Sequence, residues 1–150
     1  MKPVRKAVLP VAGLGTRVLP VAKSVPKNML NVFDRPILSY VLAEARAAGI
    51  EHFVMITGRG QEMIEHYFDR QPEIEDQLRA KGKTDILDTL MSELAKPGEM
   101  SFVRQGAPLG LGHAVWCARD IIGDEPFAVI LPDMLMDADP GAVAQTVAAY

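Results

Sequence analysis

Short unbroken apolar runs recur along this chain, and between them the apolar residues return at helical spacing. Lys6 to Val11 is a near-continuous apolar run, the pattern of a strand buried on both faces. Gly13 to Pro26 reads as loop, with Pro20 and Pro26 as breakers. Leu30 to Phe33 is a short extended piece, and Asp34-Arg35-Pro36 is a turn. Pro36 is expected to open a helix in its first turn, with Ile37, Val41, Leu42, Ala45 and Ala48 on one side and Gly49 as its stop. His52 to Thr57 predicts a second buried strand. Gly58-Arg59-Gly60 turns the chain into a helix from Gln61 to about Phe68, packed through Ile64, Tyr67 and Phe68.

Gln71 to Ala95 is more polar. Leu78, Ile86, Leu87, Leu90 and Leu94 predict one or two amphipathic helices, broken around Gly82. Met100 to Val103 predicts a third strand, Gly106 to Gly112 a glycine-rich loop, and Leu111 to Ile122 a single helix with Val115, Ala118, Ile121 and Ile122 inward. Phe127 to Leu131 predicts a fourth buried strand ending at Pro132-Asp133, and Gly141 to Tyr150 begins another helix. Strands alternating with helices imply an α/β fold, a Rossmann-like three-layer α/β/α arrangement around a mainly parallel sheet. Ligands in such sheets bind beyond the carboxyl ends of the strands. Three features fall there: the glycine loop after the first strand, Arg104-Gln105 after the third, and Asp133 after the fourth.

Composition narrows the class. The length of 150 residues suits one domain with a sizeable core, and 49% hydrophobic with 23% charged residues is ordinary for a globular chain. A net charge of -3 gives no electrostatic case for a nucleic-acid polymer or an acidic membrane, so the early cations are a local feature. No apolar run reaches the length of a membrane span. The basic start, Lys2 to Lys6, leads into a short apolar stretch that reads as a strand rather than a signal peptide. The lone Cys117, set in Ala-Val-Trp-Cys-Ala, is expected to be a buried thiol in a reducing, cytoplasmic setting.

The chemistry concentrates in residues 12–30. Gly13 and Gly15 let backbone N–H groups approach a ligand closely, Arg17 offers a fork for two phosphate oxygens, and Lys27 adds a point charge. Together they suit a polyphosphate. A dinucleotide fingerprint needs a third glycine where Val18 stands, and no Gly-Lys-Ser/Thr of a Walker loop follows. Asp133, after an apolar strand, is a reasonable Mg²⁺ ligand, whereas Asp137 and Asp139 read as loop and helix-cap residues. The Gln105 carboxamide can pair with a base edge, having both donor and acceptor. His113 reads as a capping or packed histidine rather than a base, and His52 and His66 lack metal-like spacing.

In order, Ala12-Gly13-Leu14-Gly15-Thr16-Arg17, Pro26-Lys27-x-Met29-Leu30, Ile56 to Gly60, Val103 to Val115 and Asp124 to Val129 resemble the sugar-1-phosphate nucleotidyltransferase family, in particular its bacterial UTP–glucose-1-phosphate uridylyltransferase (UDP-glucose pyrophosphorylase) branch. The likeness covers nearly the whole chain. It implies Mg²⁺-dependent conversion of UTP and glucose 1-phosphate to UDP-glucose and pyrophosphate, by in-line attack on the α-phosphorus. It also implies roles: catalytic Arg17 on the leaving phosphates and Lys27 on phosphate oxygens, nucleotide contacts from Ala12, Gly13, Leu14, Gly15 and Thr16, uracil contacts from Gln105 with Gly110 beside it, and a metal at Asp133. Association with copies of itself is expected as well.

Three positions depart from the family pattern. Asn28 stands where relatives typically have Glu, and Pro132 and Met134 interrupt a usual Leu-Gly-Asp-Asp. These departures bear on base or ribose contacts and on metal affinity. Family members also continue well beyond residue 150. Residues 1–150 are therefore expected to be the nucleotide-binding N-terminal part of a fold truncated at its C-terminal side, turning over poorly alone. Transfer to another base or sugar, such as thymidylyl transfer, and a non-catalytic nucleotide-binding module stand as alternatives.

Overall fold

The computed structural model describes residues 2–150. Its central sheet has four parallel strands in the order β5-β4-β1-β6: β1 (Lys6–Pro10), β4 (His52–Thr57), β5 (Met100–Arg104) and β6 (Phe127–Val129). Side chains alternate between its faces, and both faces are apolar. Ala7, Leu9, Phe53 and Met55 enter one core with Leu38, Val41 and Leu42 of α1 (Ile37–Ala47) and Ile64 and Phe68 of α2 (Glu62–Phe68). Val8, Val54 and Ile56 enter the other with Ala114 of α5 (Leu111–Cys117), Ala118 and Ile122 of α6 (Arg119–Ile122). This is the expected layered α/β fold.

The strand order positions the site. From β1 the chain steps to β4 and then β5 on one side, and β6 returns to the opposite flank of β1. The carboxyl ends of β1 and β6 thus meet at a topological switch point, where crevices form in open α/β sheets. The ladder continues past β6, with Ile130 N–H donating to Val8 O at 3.0 Å.

Several local expectations are corrected. Asn31–Val32 (β2) and Arg35–Pro36 (β3) form an antiparallel ribbon, so Pro36 pairs with Asn31 and caps α1 instead of lying inside it. The single helix expected over 111–122 divides at Ala118, where the bonding tightens to Ala118 N–H donating to Val115 O at 3.0 Å. The inward side is Ala114, Ala118 and Ile122, with Ile121 packed partly buried against them and Val115 only half-buried. The fourth strand is shorter than expected and is an edge rather than a buried strand: Phe127 and Val129 are 39% and 45% exposed, because among the described residues only β1 pairs with it. Cys117 is half-buried, at the margin of the second core.

The polar segment folds as α3 (Pro72–Ala80) and α4 (Thr84–Glu93), separated at Gly82, whose φ of 64° favours glycine. Carboxylates help to dock them. Glu93 receives Arg35 Nη1 at 2.9 Å, Tyr67 Oη at 3.3 Å and the Ser39 hydroxyl. Buried Glu75 takes Arg70 Nε at 2.9 Å and Arg79 Nη2 at 3.3 Å. Finally, α7 (Ala142–Ala149) lies against α1, and Val143 N–H donates to Glu44 Oε1 at 2.9 Å. The cap of α7 is therefore Gly141 with help from Glu44, and Asp137 and Asp139 do not serve as its caps.

Candidate active site

Beyond the carboxyl ends of β1, β5 and β6 lies a cavity of about 610 Å³. Ala12, Gly13, Leu14, Arg17 and Lys27 of the opening loop line it together with Gln105, Gly110 and Asp133. Gly15 and Thr16 line an adjoining cavity of about 560 Å³ that shares Arg17, Lys27 and Asp133 with the first. The residues given catalytic, nucleotide or metal roles from the sequence therefore border one connected region, whereas Asn28, Arg104, His113 and Met134 line neither cavity.

The opening loop is wound into three short 3₁₀ turns, Thr16–Val18, Val21–Lys23 and Lys27–Met29. Gly15 sits before the first turn at φ 63°. A Cβ there would stand 3.0 Å from Ala22 Cβ and 3.2 Å from Lys27 Cβ, so glycine is required both by conformation and by space. Gly13 lies over Lys27, with 3.8 Å from its virtual Cβ to Cε. Two buried side chains hold the loop, Gln61, which sequence reasoning did not assign, and Asn28, which it tied to base, ribose or metal contacts. Gln61 is buried; its Nε2 donates to Gly13 O at 3.3 Å while its Oε1 accepts from Gly58 N–H at 3.1 Å. Its only sequence signal is its place after Gly58-Arg59-Gly60. Asn28 is also buried and donates through Nδ2 to Val11 O at 3.3 Å, which leaves its Oδ1 buried without a partner. The amide at position 28 thus belongs to the floor that ties the third turn to β1, and it lines neither cavity.

Opposite the loop, Asp133 Oδ2 pairs with Lys27 Nζ at 2.6 Å. This contact joins residues 106 positions apart and fixes the carboxylate beside the opening bend. Among the described residues no cluster of three or more His, Cys, Asp or Glu side chains could hold a metal ion. A single carboxylate beside Arg17 and Lys27 instead suits a Mg²⁺ whose other ligands are phosphate oxygens and water.

Gln105 follows β5, held by its N–H donating to Thr57 O at 2.8 Å, and is only 8% exposed. Its Nε2 donates to Gly110 O at 3.2 Å and lies 3.0 Å from His113 Nδ1. Gly110 caps α5 with φ 95°, which lets its carbonyl face the amide. His113 is half-buried and packs on Trp116, as expected of a packed histidine, but its contact with Gln105 carries no sequence signal. His52 bonds Ser101 Oγ at 2.9 Å, and burial with nearby Lys6 holds its imidazole below the usual range. It lies at the amino end of β4, remote from the cleft. No helix among the described residues is long and apolar enough to cross a membrane.

Known proteins share the fold and much of the sequence of this chain. The family model described as Nucleotidyl transferase matches residues 6–150. A UTP–glucose-1-phosphate uridylyltransferase of Bacillus subtilis is 47% identical over all of this chain and 51% of that protein. One from Komagataeibacter xylinus is 47% identical over all of this chain and 53% of that protein. A UTP-bound UGPase from Acinetobacter baumannii superposes with a TM-score of 0.91 at 45% identity, over 98% of this chain and 52% of that one. The chain spans about half the length of the curated relatives it matches.

Proposed function

Because the chain belongs to the Nucleotidyl transferase family, we propose that its cleft binds UTP for uridylyl transfer to glucose 1-phosphate, forming UDP-glucose and pyrophosphate. The observation that carries this reading is the meeting of Lys27 and Asp133 at 2.6 Å across the mouth of a glycine loop. Cation, carboxylate and exposed backbone amides in one place match a metal-bound triphosphate better than an uncharged ligand. The uridylyltransferase names of its relatives and the UTP-bound structure it resembles support the choice of nucleotide.

In this reading the backbone of Ala12 to Thr16 wraps the phosphates, and Arg17 neutralises charge on the leaving β- and γ-phosphates. Lys27 leaves Asp133 and follows the α-phosphate oxygens into the transition state. Gln105 and Gly110 hold the uracil. A phosphate oxygen of glucose 1-phosphate attacks the α-phosphorus; the new P–O bond forms as the bond to the pyrophosphate oxygen breaks. The attacking oxygen is already ionised, so no general base is required, and His113 is free of that duty. The protein's contribution is positioning and charge stabilisation. Asp133 would hold Mg²⁺, which when bound supplies further charge neutralisation at the phosphates.

Titration calorimetry with UTP in the presence of Mg²⁺ tests the reading. UTP is expected to bind, and Arg17→Ala to abolish most of that binding. Tighter binding of dTTP than UTP would redirect the assignment to thymidylyl transfer. Absence of any nucleotide heat would overturn it. Pyrophosphate release on adding glucose 1-phosphate reports whether the 150 residues also turn over; binding without release marks the nucleotide half alone.

A further inference from the structure

Gln105 offers two chemically opposite faces, and which one meets the ligand depends on what holds the other. Its amide nitrogen lies 3.2 Å from Gly110 O and 3.0 Å from His113 Nδ1. A carbonyl oxygen can only accept, so the group beside Gly110 must be the NH₂. That NH₂ then meets His113 Nδ1 as an acceptor, which requires the imidazole proton on Nε2. Both amide hydrogens are thereby committed inside the protein, and Oε1 is left for the cleft that Gln105 lines. The reversed carboxamide would set Oε1 against the Gly110 carbonyl, acceptor to acceptor. The imidazole is itself held in place: it stacks on Trp116 with centroids 5.7 Å apart and planes at 28°, and Cys117 Sγ lies 3.9 Å from Nδ1.

We propose that His113 is a positioning residue for base selection: by accepting an amide hydrogen of Gln105 it keeps the carboxamide oxygen turned to the base. Among pyrimidines the site then takes uracil or thymine, whose ring N3–H donates to that oxygen. It rejects cytosine, whose unprotonated N3 places a lone pair against it. His113 lines neither cavity and acts only through Gln105. The inference rests on the base-binding role given above to Gln105.

The test is the ratio of UTP to CTP affinity, measured by calorimetry on the 150-residue chain and its variants, with circular dichroism to confirm folding. His113→Leu keeps volume but removes the acceptor, and is expected to lower the ratio about tenfold, the effect of one orienting hydrogen bond. His113→Asn places Oδ1 near the former Nδ1 and is expected to restore the ratio to within about threefold of the parent. A packing role predicts the opposite order, since Leu fills the space better than Asn. In a Gln105→Ala background, where the ratio is already lost, His113→Leu is expected to add nothing. An unchanged ratio in His113→Leu, or an Asn variant as impaired as the Leu variant, would overturn the proposal while leaving the UTP site standing. Failure of the parent chain to bind UTP would overturn both.

Discussion

Lys27 and Asp133 neutralise each other at 2.6 Å, yet the proposed ligand offers each a different partner: phosphate for the ammonium and a divalent ion for the carboxylate. Both side chains are partly exposed, so breaking the pair costs little. Lys27→Met is therefore expected to act in two directions. It weakens UTP binding about tenfold or more, through loss of a charge-assisted contact. It also tightens Mn²⁺ binding in the absence of nucleotide about threefold, because Asp133 no longer has a resident cation. Calorimetry for UTP and the electron paramagnetic resonance signal of Mn²⁺ read the two effects separately. At this scale the candidate residues were legible from glycine, cation and carboxylate types near strand ends. Gln61 was not, nor was the bond from Asn28 to Val11 O, because a carboxamide that ties down a backbone carbonyl has no periodicity or charge pattern to announce it.

The elements carry their own tests. The opening loop depends on Gly15, whose φ of 63° and close neighbours Ala22 and Lys27 leave no room for a methyl group. Gly15→Ala is expected to destabilise the chain by about 1–3 kcal/mol and to displace Lys27, so that both the thermal midpoint and UTP affinity fall. Helix α7 offers a contrast. Its Val143 N–H relies on Glu44 at 2.9 Å, and Glu44→Ala is expected to fray that helix at a cost of about 1 kcal/mol without altering UTP affinity. Faster hydrogen exchange at the Val143 amide is the observable. The existence of the helices and strands follows from apolar spacing. Their ends do not: the cap of α7 comes from a side chain on α1, and the ribbon of β2 and β3 comes from pairing that two-residue segments cannot signal.

For the whole molecule, acid stability and solubility are the accessible properties. Hydrogen bonding to Arg70 first, and then its charge and the Gln71 N–H, hold the buried Glu75 carboxyl down from 4.5 to about 2 despite its desolvation. A carboxylate depressed on folding contributes stability above its unfolded value and loses it as pH falls through the folded one. Part of the stability is thus expected to vanish between pH 4.5 and about 2, and Glu75→Gln to flatten this limb in thermal melts recorded against pH. Glu125, held below its ordinary value first by hydrogen bonding to Lys6, adds to the loss of stability on the acid side. At the sheet margin, β6 exposes Phe127 and Val129 along an edge that no strand among the described residues covers. Exposed apolar edges associate, so the chain is expected to elute at a rising apparent mass with concentration, and Val129→Lys to reduce that rise.

By itself the sequence determined the strands of the central sheet, most of the helices, and where glycines and cations crowd together, because those signals are local and repeat at the period of the backbone. It also carried the family likeness, since ordered short motifs survive without any knowledge of contacts. Only the tertiary structure decided that β6 returns beside β1 and so sets Asp133 against Lys27, that β6 lies at an edge, and that His113 stands behind Gln105. Each of these joins separate elements through parallel pairing or packing, and no local pattern of residues encodes which distant segment becomes the neighbour.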